Sequence, residues 1–333
     1  MLEKSLKSLA VDEGCIRVGV ARRDAFSEAP PSADMRTLKP WAEAVVSFAI
    51  TTGTDWIEDY LGKKTRMVIR DNMHYVYHEL YRIGVVIADR LKAAGHKAHP
   101  IVPNGLYRPD HTFEKEIPDH DVKPPLSLRY MAVGAGVGTF GWSGNVMIPD
   151  YWSNVYLGGV LTDALLLPDS PMDETVCDRC LICAQVCPVG FINDIKQEQA
   201  RVTIAGREFT YNKKRGDLRC VIGCGGFTGL SRDGTWGSWS TGRTVLPESD
   251  DDLPQLFASL RDDPANAAAR RNITFGKRGV LDRPKENIKT TCNHCITVCS
   301  GPPAVRKKWR DLLHTSGVVE LDSEGREVVK RPH

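Results

Sequence analysis

Nine of the ten cysteines of this 333-residue chain lie between residues 177 and 299. The first group has the spacing Cys177-x2-Cys180-x2-Cys183-x3-Cys187 and is followed by Pro188. Three thiolates at this spacing bind one [4Fe–4S] cluster, while the fourth, before proline, binds a second cluster in two-cluster ferredoxins. The motif therefore predicts two iron–sulfur clusters and requires a second group of cysteines.

That second group is Cys292-x2-Cys295-x3-Cys299. If the last cysteine of each group binds the cluster of the other group, two ligand sets result. The first set is Cys177, Cys180, Cys183 and Cys299. The second set is Cys187, Cys292, Cys295 and one further thiolate, for which Cys220 and Cys224 are both available. Structural zinc fits this pattern poorly, because zinc favours separated Cys-x2-Cys pairs with four ligands per ion.

The rest of the composition is that of an ordinary globular protein. Basic residues number 44 and acidic residues 42, a near balance that provides no basic field for nucleic acid. The first 20 residues lack the apolar core of a secretion signal, and no apolar stretch is long enough to span a membrane. We therefore expect a cytoplasmic protein whose clustered cysteines bind metal rather than form disulfides, and whose Cys15 is a small buried residue.

The chain before the cysteine groups has an α/β pattern. Short β-branched runs predict strands, and apolar residues at helical spacing predict a long helix that ends at Gly95. Strands are predicted at 16–20, 44–50, 96–103, 146–148 and 155–161, helices at 66–94 and 126–137, and a hairpin at 201–211. The length allows one or two domains.

Two further segments are candidates for ligand binding. Residues 134–144 are rich in glycine, which permits tight turns and close approach of a bulky ligand, but their spacing is not that of nucleotide-binding loops. Residues 104–125 form a long polar loop, and such loops inside compact domains are commonly functional. This loop and the residues before it contain several candidate proton donors, which are His99, Tyr107, Asp110, His111, Asp119, His120 and Asp121.

Together with the cysteine motifs, residues 128–163 resemble the core shared by epoxyqueuosine reductases and reductive dehalogenases. Four segments of that core occur here in the same order. They are Ala135-Gly136-Val137-Gly138, Gly141-Trp142-Ser143-Gly144, Pro149-Asp150-Tyr151, and Leu157-Gly158 followed by Thr162-Asp163. The resemblance extends over about residues 35–303.

The resemblance implies a nitroreductase-like α/β domain that binds cobalamin over 1–168, a ferredoxin-like domain with two [4Fe–4S] clusters over 169–303, and a tail over 304–333. It assigns Cys220 rather than Cys224 to the second set. It implies cobalamin contacts at Gly136, Gly138, Gly141, Ser143, Gly144, Tyr151 and Thr162. The cofactor is expected to be base-off, because the sequence has no Asp-x-His-x-x-Gly motif that could replace its lower base.

The chain also departs from this family. Where epoxyqueuosine reductases carry Asp-Ser-Ala-Pro with the aspartate as proton donor, the sequence here is Asp121-Val122-Lys123-Pro124. Asp121 lies nearest to the donor position, and Tyr107 is a second candidate because reductive dehalogenases use a tyrosine in this role. The helical-repeat extension that binds tRNA is expected to be missing, since about 30 residues follow Pro303.

We therefore expect a cobalamin-dependent iron–sulfur oxidoreductase that acts on a small organic substrate, as reductive dehalogenases do. A ferredoxin or flavodoxin is the expected electron donor, and neither a membrane nor nucleic acid is an expected partner. Two alternatives remain open. One is the reduction of epoxyqueuosine in tRNA, and the other is a two-cluster electron carrier without catalysis of its own.

Overall fold

The computed structural model describes residues 2–103, 126–267, 269, 280–288 and 290–331. In these ranges the helices are α1 (Leu2–Asp12), α2 (Ile57–Leu61), α3 (Met67–Ala93), α4 (Leu128–Gly134), α5 (Ile182–Gln185), α6 (Asp217–Gly225), α7 (Leu253–Asp262), α8 (His294–Thr297) and α9 (Pro303–Thr315). The strands are β1 (Arg17–Arg22), β2 (Ala44–Ile50), β3 (Ala98–Pro100), β4 (Thr139–Phe140), β5 (Val146–Met147), β6 (Tyr156–Thr162), β7 (Gln199–Ile204), β8 (Arg207–Asn212), β9 (Val318–Leu321) and β10 (Glu327–Lys330). The predicted α/β class is confirmed. None of the helices in the described ranges has the length and apolar character needed to cross a bilayer.

A four-stranded antiparallel sheet with the order β1-β2-β6-β3 organises the first half of the chain. All seven residues of β2 are buried, and β6 pairs with β2 from Ala44–Thr162 to Ile50–Tyr156. A strand that is covered on both faces needs an almost continuous apolar run instead of an alternating pattern. This requirement explains why β2 is apolar except for Ser47.

Helices cover both faces of this sheet. Val46 and Phe48 of β2 belong to the buried cluster that α1 and α3 form on one face. Val45 and Ala49 belong to the cluster on the opposite face, which contains α4 and the β7–β8 hairpin. Successive side chains of a strand point to opposite faces, so β2 contributes to both cores. The glycine-rich segment follows α4 and is therefore fixed against the sheet.

A third buried cluster connects the second half of the chain to α2. Ile57 and Leu61 of α2 belong to the same buried cluster as Ile182 of α5. The cluster also contains Val298, which follows α8, and Trp309 of α9. This cluster, like the one that contains the β7–β8 hairpin, draws residues from both sides of the 168/169 boundary. The domain boundaries remain a prediction.

The segment 304–333, as far as the structure describes it, forms a helix and a β-hairpin rather than an irregular tail. Helix α9 begins at Pro303, and β9 pairs with β10 in an antiparallel hairpin. Val319 of β9 is buried in the same cluster as Trp309. The C-terminal segment thus forms part of the packing around α2.

Lys63 is a buried cation between α2 and the end of α9. Its side chain is only 4% exposed, and its Nζ donates a hydrogen bond to Ser316 Oγ at 2.5 Å. Burial lowers the pKa of Lys63 to about 7, and the charge of Arg331 lowers it further. In the unfolded chain this amine has its ordinary value of 10.5, so between about pH 7 and 10.5 the unfolded state binds the additional proton.

The stability of the wild type is therefore expected to rise with pH relative to that of a Lys63→Met variant. The slope of the difference can reach about 1.4 kcal/mol per pH unit above pH 7, and it disappears below pH 7, where both states bind the proton. Denaturant titrations of both proteins at several pH values between about 7 and 9 measure this slope. A stability difference that does not change over this range would contradict the burial of Lys63.

Candidate functional site

The first set is assembled from two distant parts of the chain. Cys177 and Cys180 lie in the loop before α5, Cys183 lies within α5, and Cys299 follows α8. Burial raises the pKa of the Cys299 thiol to about 12, although the positive charge of Arg306 lowers it. The neighbouring Cys177 and Cys180 also raise it. Burial also raises the pKa of the Cys183 thiol, and Cys299, Cys295, Cys177 and Cys180 raise it further. The structure thus places Cys299 beside the three cysteines of the first motif.

The loop that carries these cysteines has an unusual backbone. Arg179 has a φ angle of 52° and Leu181 one of 63°, a left-handed conformation that side chains other than glycine seldom adopt. Each such residue costs roughly 1–2 kcal/mol. Strain of this kind persists where the surrounding structure imposes it, and it is concentrated at functional sites. A loop that must wrap several thiolates around one cluster provides such a reason.

The second set is assembled in the same way around Cys187, which follows α5. Burial raises the pKa of the Cys187 thiol to about 11, and the nearby Cys292 and Cys220 raise it further. Burial raises the pKa of Cys295 to about 12, and Cys220, Cys292 and Cys187 add to this effect. Four thiols from three separate chain segments are therefore neighbours.

Cys220 and Cys224 both lie next to the second set. They are one turn apart on α6, their Sγ atoms are 3.6 Å apart, and the Cys224 thiol donates to the carbonyl oxygen of Cys292 at 3.6 Å. All ten cysteines lie in the described part of the chain, and none of them is in a disulfide. No three His, Cys, Asp or Glu side chains in the described ranges converge closely enough to hold a single metal ion.

Amide groups of the glycine-rich segment and of the loop after α5 donate to the sulfur atoms. The Trp142 N–H donates to Cys177 Sγ at 3.1 Å, and the Phe191 N–H donates to Cys187 Sγ at 3.3 Å. The Asn145 side-chain amide lies 3.8 Å from Cys295 Sγ. Hydrogen bonds to cluster sulfurs are one of the means by which proteins set the reduction potential of iron–sulfur clusters.

Each set also has a cation beside it. Arg306 is 1% exposed, forms an ion pair with Asp178 at 3.0 Å and donates from Nε to the Gly301 carbonyl at 2.6 Å, next to the first set. Lys214 lies beside the thiols of the second set, and burial lowers its pKa to about 8. A [4Fe–4S] cluster with four thiolate ligands carries net negative charge, so a neighbouring cation stabilises it. The donor set and its surroundings therefore fit two such clusters.

The glycines of the segment serve mainly to pack the chain against itself. A Cβ at Gly138 would lie 2.6 Å from Val146 Cγ1 and 2.7 Å from the Met147 carbonyl oxygen, and one at Gly141 would lie 2.5 Å from Met147 Sδ. Gly136 has a φ of 66°, and a Cβ there would collide with the carbonyl group of Ser170. These positions need glycine without any ligand, which is a different physical reason from the cobalamin contact implied by the resemblance.

Replacement of Gly138 by alanine is accordingly expected to destabilise the cluster-free chain by about 1–3 kcal/mol through overpacking. Gly53 is a matched control, because a Cβ there meets nothing within 4 Å. Its replacement by alanine should change the stability by no more than about 0.5 kcal/mol. Denaturation curves of the two variants measure the difference. Equal stabilities would contradict the packing of β4 and β5 against Gly138.

Three other predicted cobalamin contacts, Thr162, Ser143 and Tyr151, lie in different surroundings. Thr162 is buried in β6 and donates to the Lys97 carbonyl oxygen at 2.8 Å, so it is explained by the sheet. Ser143 accepts from the Asn145 N–H at 3.3 Å and so orders the turn that carries Asn145. Tyr151 lines a cavity of about 350 Å³ with residues 51–54 and 300–302, next to Cys299. Tyr107 and Asp121, the predicted proton donors, lie outside the described residues.

Gly144 differs from the other glycines of the segment. It has a φ of 72°, and the atoms nearest to an added Cβ belong to the flexible side chain of Lys214, at 3.2 and 3.3 Å. The guanidinium of Arg129 donates to the Gly144 carbonyl oxygen at 3.0 Å. Two cations therefore meet the glycine-rich segment beside Cys220 and Cys295. No sequence motif marks Arg129, Lys214 and Arg306 as functional, because only the folded chain brings them to the thiols.

Comparisons with known proteins were made by sequence and by structure. No family model matches the chain. The epoxyqueuosine reductase of Bacillus anthracis is 28% identical over 116 residues, which cover 33% of this chain and 30% of that protein. The epoxyqueuosine reductase of Bacillus subtilis is 32% identical over 98 residues, which cover 29% of this chain and 25% of that protein. This chain is similar to epoxyqueuosine reductases. The matches cover less than a third of the length of these relatives, and over that segment the predicted resemblance is confirmed.

Solved structures of both branches of the predicted family also match. An epoxyqueuosine reductase crystallised with an epoxyqueuosine-modified stem loop of tRNA-Tyr aligns at a TM-score of 0.42 and 17% identity, over 87% of this chain and 71% of that one. A reductive dehalogenase with a B12-dependent mechanism aligns at a TM-score of 0.45 and 16% sequence identity, over 80% of this chain and 35% of that one. Likenesses of this size do not establish a substrate. The sequence relatives are named epoxyqueuosine reductases, whereas the sequence analysis expected a small organic substrate and no nucleic-acid partner for this chain.

Proposed function

We propose that this chain is an oxidoreductase that uses two [4Fe–4S] clusters and a cobalamin to reduce epoxyqueuosine in tRNA. The observation that carries the proposal is the assembly of two thiol sets, in which Cys299 joins the first cysteine motif and Cys187 joins the second. The named relatives support the choice of substrate. Trp142 and Asn145 donate hydrogen bonds to a thiol of the first set and a thiol of the second set, respectively. These bonds support a location of both clusters next to the glycine-rich segment.

In this proposal the chain's residues hold two electron carriers close together. The first set would bind one cluster and the second set the other, and Cys183 and Cys187 are about one helical turn apart, which keeps the two clusters adjacent. Arg306 and Lys214 would offset the negative charge of the clusters. The amides of Trp142 and Phe191 would stabilise the sulfur ligands.

Cobalamin would be held at the face where Gly144, Lys214 and Arg129 meet. The cations there are suited to donate to the carboxamide arms and the phosphate of a corrinoid, and the atoms closest to an added Cβ at Gly144 belong to the side chains of Lys214 and Tyr211 rather than to backbone. Bound there, cobalamin would supply a strongly reducing, low-valent cobalt for the removal of oxygen from the substrate. We propose Asp121 or Tyr107 as the group of this chain that delivers the proton to the reduced product.

The proposal is tested with anaerobically purified protein that has been reconstituted with iron, sulfide and cobalamin. Incubation with epoxyqueuosine-containing tRNA and a low-potential reductant should produce queuosine, detected by mass spectrometry of the digested nucleosides. A Cys187→Ala variant should lose this activity, whereas Cys15→Ala, which changes a buried thiol outside both sets, should keep it. Wild-type protein with both clusters and cobalamin that leaves the nucleoside unchanged would contradict the substrate assignment.

A small organic substrate remains the second candidate, since the stretch Asp121-Val122-Lys123-Pro124 lacks the Ser-Ala pair of epoxyqueuosine reductases. The same reconstituted protein can be incubated with halogenated phenols under the same reductant. Release of halide without any reaction of the tRNA would favour this candidate over the first.

The two cysteines of α6 should respond differently to replacement. Cys220→Ala is expected to remove the cluster of the second set and lower the iron content from about eight to about four atoms per chain, while Cys224→Ala keeps both clusters. Iron and acid-labile sulfide analysis of anaerobically reconstituted variants measures this. The reverse result would move the ligand assignment from Cys220 to Cys224.

A further inference from the structure

The pair of cysteines on α6 has a feature that cluster binding does not use. A four-cysteine set needs only one of the two, yet Cys220 and Cys224 lie with their sulfurs 3.6 Å apart. Cys224 is solvent-exposed, and Cys220 is partly accessible. Two thiols in contact at an accessible position are an arrangement in which oxidation of one leads directly to reaction with the other.

We propose that Cys220 and Cys224 form a reversible disulfide in the cluster-free chain, and that this disulfide prevents loading of the second set. The oxidant is a peroxide. Hydrogen peroxide oxidises the exposed Cys224 thiol to a sulfenic acid and releases one water. The Cys220 sulfur then attacks the Cys224 sulfur, the S–S bond forms, and the hydroxyl leaves as a second water. A dithiol reductant returns two electrons and two protons and restores both thiols.

The helix geometry permits this bond with moderate distortion. Residues four apart in an α-helix have Cα atoms about 6.2 Å apart, which lies within the range of about 4.4–6.8 Å found for disulfides. Their Cβ atoms are about 5–6 Å apart, so they must approach by roughly 1–2 Å to reach disulfide geometry. Helix α6 ends at Gly225, and Gly226 has a φ of 91°, so Cys224 lies in the last turn, where the backbone is least constrained.

Two consequences follow from this geometry. A disulfide that strains its helix is more easily reduced than a relaxed one, which makes the modification reversible by cellular dithiols. While the disulfide exists, Cys220 has no free thiolate and cannot bind iron. The second set then consists of Cys187, Cys292 and Cys295 only, one ligand short of a complete set.

The disulfide can be detected independently of any enzymatic activity. Trypsin cleaves after Arg219 and Arg232, so both cysteines fall in the single peptide 220–232. Cluster-free full-length protein is treated anaerobically with about one equivalent of hydrogen peroxide, alkylated and digested without reductant. We expect this peptide to be lighter by two hydrogens and free of alkyl groups, and to take two alkyl groups after treatment with dithiothreitol. The Cys15 peptide should remain alkylatable after denaturation, because burial protects this isolated thiol.

The second readout is cluster loading. Peroxide-treated wild type should take up about four iron atoms per chain, and about eight after dithiothreitol. A Cys224→Ser variant, which keeps Cys220, should take up about eight before and after peroxide. Alkylation of both cysteines in the oxidised wild type, or a bond from Cys220 to a cysteine other than Cys224, would overturn the proposal. Untreated wild type that binds only about four iron atoms would instead contradict the two-cluster function, so the two failures are distinguishable.

Discussion

Replacement of Cys183 by alanine is expected to lower the iron content of the reconstituted protein from about eight to about four atoms per chain. A [4Fe–4S] cluster needs four ligands, and we propose Cys183 as a ligand of the first set. Of the four thiols that raise its pKa beyond the effect of burial, Cys299, Cys177 and Cys180 belong to that set and Cys295 to the other. Its side chain is 6% exposed, so water cannot easily take the vacant position. Iron, acid-labile sulfide and the paramagnetic spectrum of the reduced protein measure the loss.

The matched variant for this experiment is Cys187→Ala. The two cysteines are four residues apart, yet Cys292 and Cys220 are the thiols that raise the pKa of Cys187 beyond the effect of burial, and we propose that Cys187 belongs to the second set. Each variant should keep about four iron atoms, but the two remaining clusters should have different paramagnetic signals, because their surroundings differ. Identical spectra, or a wild type with about four iron atoms, would contradict two crossed ligand sets. As a control, the Cys15→Ala variant should keep about eight iron atoms per chain.

The second large effect is expected at Gly19, in the middle of β1. A Cβ at this position would collide with the carbonyl oxygen of Ala135 and would lie 3.3 Å from Asp169 Oδ2. Gly19 pairs with Ser47 of β2, so β1 cannot move away without breaking the sheet. We expect Gly19→Val to destabilise the chain by about 3 kcal/mol or more, at the upper end for overpacking, because backbone rather than a flexible side chain occupies the space.

Denaturation of the cluster-free protein measures this effect, and Gly53→Ala again serves as the control, since nothing lies within 4 Å of its Cβ position. The displaced element would be Ala135 and the glycine-rich segment that follows it. Cluster loading of Gly19→Val should therefore also decrease, as Trp142 and Asn145 lose their positions beside the sulfurs. A variant as stable as Gly53→Ala would contradict the close approach of α4 to β1.

The periodic elements could be predicted from the sequence because burial imposes their pattern. The strand predicted at 44–50 is β2, and the helix predicted at 66–94 is α3 with one residue fewer at each end. The hairpin predicted at 201–211 is β7–β8 with Gly206 in its turn, where φ is 72°. The pairing of the cysteine groups stays a prediction, which rests on the local spacing that cluster geometry imposes on its ligands.

What could not be predicted depends on contacts between distant residues. Arg306 lies in an otherwise ordinary amphipathic helix, and only the fold brings it to Asp178 and Cys299. The sequence predicts that the glycines at 138 and 141 make space for a ligand, whereas the β4–β5 hairpin fills that space. The sequence pattern reveals that a side chain is excluded at these positions, but it does not reveal which atoms exclude it.

The most direct test of the central claim is an anaerobic titration of the reconstituted protein with cobalamin, followed by the visible bands and the paramagnetic signal of cobalt. About one cobalamin per chain is expected to bind, in the base-off form, to a protein that already contains about eight iron atoms. Binding should weaken in a Lys214→Ala, Arg129→Ala double variant that retains both clusters. A wild type that contains both clusters and leaves cobalamin free in solution would contradict the proposed cobalamin-dependent function.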